Sequence, residues 1–173
     1  MSWLRRCSPS QSRSVPSNLP IDSKYQFVVI GVDRRDGAIL WKTVVREEVP
    51  LEAGHRTGSL ASASPVTDGE FVFALFGAQG VYCLNLQGEV VWERNLGPMH
   101  TKHGHGHGAS PALYGESLIV NWDHEDGSFL VVLDKRTGKN RCRNSCLREW
   151  DALCREQLRK EDSARNQPPR CPR

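Results

Sequence analysis

Residues 80–92 read GVYCLNLQGEVVW, and residues 31–41 read GVDRRDGAILW. In each, a short run of β-branched, aromatic or small apolar residues stops at Asn85 or Asp33. A glycine, Gly88 or Gly37, then closes a turn, and Trp92 or Trp41 stands four residues further on. Such a run reads as a strand, a tight reversal and an antiparallel return strand. Residues 132–139, VLDKRTGK, repeat the first half of the pattern with Asp134 and Gly138. The lead-in also returns: SPVTDGEFVFALF begins at Ser64 and SPALYGESLIVNW at Ser110. A strand-only period of roughly 40–50 residues is that of propeller blades, each a four-stranded antiparallel sheet. A β-sandwich or barrel also spaces its strands regularly, but does not require the same turn residues and the same Trp to come back in step. The fold expected is therefore all-β, a partial β-propeller of about two to three four-stranded antiparallel blades with an irregular or helical, non-propeller C-terminal tail.

These residues resemble the strand-turn-strand motif of quinoprotein, or PQQ-like, β-propeller repeats, which runs small-x-Asp-x-x-Thr-Gly-x-x-x-Trp. GVDRRDGAILW looks like it, with Asp36 in place of the Thr, LNLQGEVVW is similar with one turn residue fewer, and VLDKRTGK matches its first half. The resemblance covers about two-thirds of the chain, from Phe27 to Lys139. It implies that Trp41 and Trp92 pack between neighbouring blades, and it makes Asp33, Gly37, Trp41, Asn85, Gly88, Trp92, Asp134 and Gly138 the structural blade motif. The third copy departs from it: four residues after Gly138 stands Cys142, not Trp.

From about Asn140 the β-rich texture gives way to Arg, Cys and Asn. Residues 140–173 are read as a basic, Cys-rich tail, an out-of-frame or recombined end. The competing reading is a helix, because Leu147, Trp150, Cys154 and Leu158 recur at helical spacing. Cys142 and Cys146 have a CxxxC spacing with no second pair at zinc-finger distance, so free thiols are the expectation there. Residues 1–22 are rich in Ser, Pro and Arg and read as a disordered lead-in. The domain reading is thus 1–22 lead-in, 23–139 propeller repeats, 140–173 tail.

Charge follows the same division. The chain of 173 residues carries a formal charge of +3, but residues 1–20 hold three Arg and no acid, and residues 140–173 hold nine basic against five acidic residues. The body is therefore acidic on balance, which excludes the basic stripe of a nucleic-acid binder. No run is long and apolar enough for a membrane helix, so no integral membrane segment is expected. The N-terminus lacks the apolar core of a secretory signal. The resemblance implies a periplasmic or extracytoplasmic protein, and the two observations leave the location open.

Chemistry is concentrated in one place. MHTKHGHGHG (residues 99–108) and NWDHEDGS (residues 121–128) bring His103, His105, His107, His124 and Asp123 forward as candidate metal ligands, suited to Zn, Ni or Cu. The alternating glycines argue against a preorganised site, and the acidic loop also reads as a simple turn. No Gly-rich phosphate loop and no Gly-x-Ser-x-Gly elbow occurs. No cofactor is predicted. PQQ with Ca²⁺ belongs only to the alternative that the chain is part of a quinoprotein dehydrogenase, where the cofactor supplies the redox step. The chain lacks the adjacent Cys-Cys pair common in those enzymes and offers no assignable calcium set, so no catalytic residue is carried over. The functional expectation is a non-catalytic scaffold for protein interaction or ligand binding, from a truncated copy of a larger exported repeat protein. Its partner would be another protein or the missing blades. A quinoprotein dehydrogenase fragment and a His-loop metal binder are the alternatives. With at most about two and a half blades the chain cannot close a ring, which takes four or more.

Overall fold

The computed structural model describes residues 23–52 and 59–144. Ten strands form three antiparallel sheets. The first is a hairpin, β1 (Tyr25–Val32) with β2 (Ile39–Glu48). The second is a four-stranded meander of β3 (Val66–Thr67), β4 (Phe71–Leu75), β5 (Val81–Asn85) and β6 (Val90–Arg94). The third repeats it with β7 (Ala112–Tyr114), β8 (Ser117–Trp122), β9 (Phe129–Asp134) and β10 (Asn140–Asn144). The architecture is two complete blades preceded by the outer half of another.

Alternation along the strands decides which residues enter the core. Phe73, Leu75, Val81 and Cys83 of the second sheet meet Leu118, Val120, Trp122, Phe129, Val131 and Leu133 of the third, and all are buried. The opposite face of the second sheet, Ala74, Phe76, Tyr82 and Leu84, packs on Phe27 and Val29 of the hairpin. Each sheet thus gives one face to each neighbour. The central strands β5 and β9 are accordingly apolar on both sides, in contrast to β2, whose residues alternate between exposed and half-buried.

Strand β10 runs to Asn144, five residues past the boundary that composition placed at 139. Its Cys142 pairs with Val132 just as Trp92 pairs with Cys83, so it fills the fourth-strand position of its blade. A β ladder tolerates the polar sequence NRCRN because an outer strand needs backbone pairing more than apolar side chains. Arg143 lies over the Phe129 ring at 3.7 Å, and Arg141 pairs with Asp134 at 2.6 Å. The free-thiol expectation is corrected at one position, since Cys142 is disulfide-bonded. The expected lead-in, residues 1–22, and the helix drawn through Leu147, Trp150, Cys154 and Leu158 lie outside the described residues. No described helix is long and apolar enough to cross a membrane.

Candidate binding surfaces

The two ends of the sheets are chemically different. One end carries the tight turns between the third and fourth strands of each blade. In all three a bond from the turn glycine to the Asp or Asn carbonyl closes the reversal, over one residue fewer in the second: Gly37 N to Asp33 O at 2.8 Å, Gly88 N to Asn85 O at 3.0 Å, Gly138 N to Asp134 O at 2.8 Å. The three glycines have φ of 76°, 86° and 66°, a left-handed backbone that favours glycine. The Asp and Asn side chains fold back on the turn amides, as Asp33 to Arg35, Asn85 to Gln87 and Asp134 to Arg136.

The tryptophans seat on these turns. The Trp41 indole N–H donates to Leu86 O at 2.9 Å, and the Trp92 indole N–H donates to Lys135 O at 2.9 Å. Each acceptor is the residue after the turn's Asn or Asp. The rings lie so close over Gly88 and Gly138 that a β-carbon there would be 2.6 and 2.7 Å from ring atoms. Glycine is therefore required twice, once by φ and once by the approach of the ring. Thr43 Oγ1 adds a bond to Gly88 O at 2.6 Å, and the lead-in serines meet across blades, Ser64 N to Ser110 Oγ at 2.9 Å.

Between the second and third sheets the joint is also ionic. Lys135, with a side chain 9% exposed, reaches Asp68 at 2.9 Å and Glu116 at 3.0 Å, and Arg136 grips Glu70 through two nitrogens. Burial pulls the Lys135 ammonium down, but its bonds to Asp68 and Glu116 outweigh that and its pKa is raised. Burial likewise pushes the Asp68 carboxyl up, and the Phe71 amide, Lys135 and the Glu70 amide together bring it down to about 2. Asp68 and Glu70 were legible in the sequence only as ordinary turn residues, because their partners Lys135 and Arg136 arrive from the next blade.

The other end carries the loops. The histidine loop lies between β6 and β7 and is tied down by Glu52, which accepts from Thr101 N, Thr101 Oγ1 and Gly106 N. An open cleft of about 470 Å³ is lined by Thr101, Lys102, His103, His105, Gly106, Asp123, His124 and Glu125. Four of the five candidate ligands therefore share one cleft. The His103 and His105 rings stand 5.7 Å apart, while His124 Nδ1 accepts from Asp126 N and Asp123 accepts from Ser128. His107 is not in this cleft. Its Nε2 meets Asn121 O at 3.1 Å, its ring packs on Trp122 at 5.9 Å, and burial lowers its pKa. The strand-like alternation that would put His103, His105 and His107 on one face is broken by left-handed glycines at 104 and 106, with φ of 61° and 78°. Among the described residues no three His, Cys, Asp or Glu side chains are arranged to hold a metal ion.

A third surface was not apparent from the sequence. On the hairpin's outer face Ile30, Val32, Ile39, Leu40 and Val44 are exposed. Contiguous apolar surface of this kind marks an interaction site. Its signal in the sequence, an apolar strand, is the same as that of a buried one.

The chain resembles BamB of Moraxella catarrhalis (18% identity, TM-score 0.45, covering 68% of this chain and 30% of that one). It also resembles quinohemoprotein alcohol dehydrogenase of Comamonas testosteroni (15% identity, TM-score 0.45, covering 68% of this chain and 18% of that one). It thus spans less than a third of the length of either. No curated protein matches. Residues 25–152 match the family described as outer membrane protein assembly factor BamB, a stretch that passes the expected boundary at 139 and takes in all of β10. The chain belongs to that family of PQQ-like β-propeller repeat proteins.

Proposed function

We propose that this chain is a non-catalytic β-propeller unit that acts as a protein-interaction scaffold, a truncated copy of a larger exported repeat protein. The observation that carries this reading is the hairpin's apolar outer face, with Ile39 and Leu40 each 64% exposed, while its inner face packs on the second sheet. A surface of that composition is stabilised by covering it with another protein. The family is named for an outer membrane protein assembly factor, and a scaffold that holds protein partners agrees with it. The charged side chains at the turn end support the reading too. Lys135 and Arg136 engage Asp68 and Glu70 across the blade joint, and Glu116 of their own sheet completes the cluster, where they hold sheets together.

The experiment has two arms on the full chain. A photo-reactive residue at position 40 is expected to cross-link a protein partner in cells, and the same residue at exposed Lys139 on the turn end is not. Incubation with pyrroloquinoline quinone, Ca²⁺ and ethanol is expected to leave a redox dye unreduced. Dye reduction would replace the scaffold with the dehydrogenase reading.

A further inference from the structure

Alternating glycines argue for a floppy histidine segment, yet the loop that carries His103 and His105 is tied on both sides of the pair. Glu52 accepts from Thr101 N and Thr101 Oγ1 before it and from Gly106 N after it. Within that span Gly104 N donates to Thr101 O at 2.9 Å, and His105 N donates to Thr101 Oγ1 at 3.2 Å. Gly104, between the two histidines, takes the left-handed φ of 61°, which glycine adopts without strain. The freedom of these glycines is therefore lost on folding, and little of it is left to lose when a ligand binds.

The pair that this turn presents has nearly the spacing of a chelate. The His103 and His105 rings stand 5.7 Å apart, with their planes 31° from parallel. Two imidazoles bound to one ion through nitrogens about 2.0–2.1 Å from it place their ring centres roughly 5 Å apart, so small side-chain rotations bring both onto a common ion. The pair lines the open cleft of about 470 Å³, which leaves room for the ion's waters. Asp123 and Glu125 line the same cleft against the single ammonium of Lys102, a balance that favours a cation. Glu125 N donates to His100 O at 2.9 Å and so joins the acidic loop to the histidine loop.

The other histidines that the sequence brought forward are engaged elsewhere. His107 is held at Asn121 O and against the Trp122 ring. His124 Nδ1 accepts from Asp126 N at 3.3 Å, and in the neutral ring this leaves the proton on Nε2, with no lone pair there for a metal. Two imidazoles remain, in keeping with the absence of a three-ligand arrangement among the described residues. We infer that His103 and His105 form an open, two-imidazole site for a divalent ion of the Ni²⁺, Cu²⁺ and Zn²⁺ group, the ions that imidazole suits, with water in the remaining positions. The inference goes beyond the scaffold reading and does not rest on it, because the pair lies in the loops and not on the hairpin's apolar face.

Calorimetric titration of the full, untagged chain with Ni²⁺ is the test. The wild type is expected to take up one equivalent that His103→Ala with His105→Ala abolishes. Either change alone should weaken it by about tenfold or more, since loss of even an outer-shell partner costs a metal site that much. His105→Gln, which lacks the imidazole but stays polar, stands beside His105→Ala in case the latter disturbs the loop. His107→Phe keeps a ring against Trp122, and it and His124→Gln should leave the affinity unchanged within error. The inference is overturned if the wild type takes up no such equivalent. An equivalent that survives the double change overturns it too, by placing the ion on the cysteine thiols or elsewhere. So does a loss in His107→Phe as large as that in His103→Ala, which would mean that the segment chelates as a flexible three-histidine tract. Cross-linking at position 40 tests the scaffold reading separately and is indifferent to all of these results.

Discussion

Glycine at a tight turn usually answers to backbone conformation alone, and here two of the three turn glycines answer to a neighbour as well. Gly37→Ala is expected to cost about 1 kcal/mol, the left-handed penalty for a residue with a β-carbon. Gly88→Ala and Gly138→Ala are expected to cost roughly 3 kcal/mol or more, because the indoles of Trp41 and Trp92 must move from contacts that leave 2.6 and 2.7 Å for a β-carbon. Urea unfolding of the three variants checks the ranking, and equal losses would refute the seat. Trp92→Phe should cost less than Trp92→Ala, since it gives up the bond to Lys135 O but keeps most of the packing. The histidines divide on the same principle. His107→Ala is expected to lower the melting temperature, because its ring packs against the buried Trp122. His103→Ala, on an exposed residue of the cleft, is expected to leave it unchanged within error.

At the scale of elements, β10 and the ionic joint carry the testable consequences. Ending the chain after Lys139 removes β10, and one after Asn144 keeps it. The shorter form should melt lower and aggregate more readily, because it bares the edge of β9. Lys135→Met leaves Asp68 and Glu116 without their shared cation, a loss of about 3 kcal/mol for a pair broken at a mostly buried site. The joint also sets the acid limit of stability. Asp68 has its folded pKa depressed to about 2, so the stability it contributes is present above the unfolded carboxylate value near 4 and is lost as pH falls from there towards 2. His107 acts earlier and in the same direction. Its folded pKa is lowered by burial, so the unfolded chain takes up the proton first and stability declines as pH drops below about 6.5. Melting temperatures between pH 8 and pH 3 should show the first loss, and His107→Ala should flatten it.

For the whole molecule, two complete blades and half of another form a stack with two faces per sheet, and such a stack is stabilised by nearest-neighbour contacts. Unfolding should reflect this. The hairpin, covered on one side only, is expected to exchange its amides faster than β5 and β9, which are buried on both sides, and hydrogen exchange resolved by peptide would show the order. Protection of β1 equal to that of β9 would mean that its outer face is already covered.

The repeat, its period and the strand-turn-strand unit were legible because each is local. A glycine turn, an apolar run and a Trp at a set distance leave their mark within about a dozen residues. The strand beyond Gly138 was not legible, since NRCRN has little β propensity and is held in place by pairing with β9. The histidine loop shows the same limit. Sequence marked His103, His105, His107, His124 and Asp123 as one group, but left-handed glycines and the anchor at Glu52 put four at the cleft and turned His107 to the core. Sequence by itself determined which units this chain repeats, because propensity and turn chemistry act between near neighbours. Only the tertiary structure decided which faces those units share and which one stays uncovered, because burial depends on what the next blade brings to it.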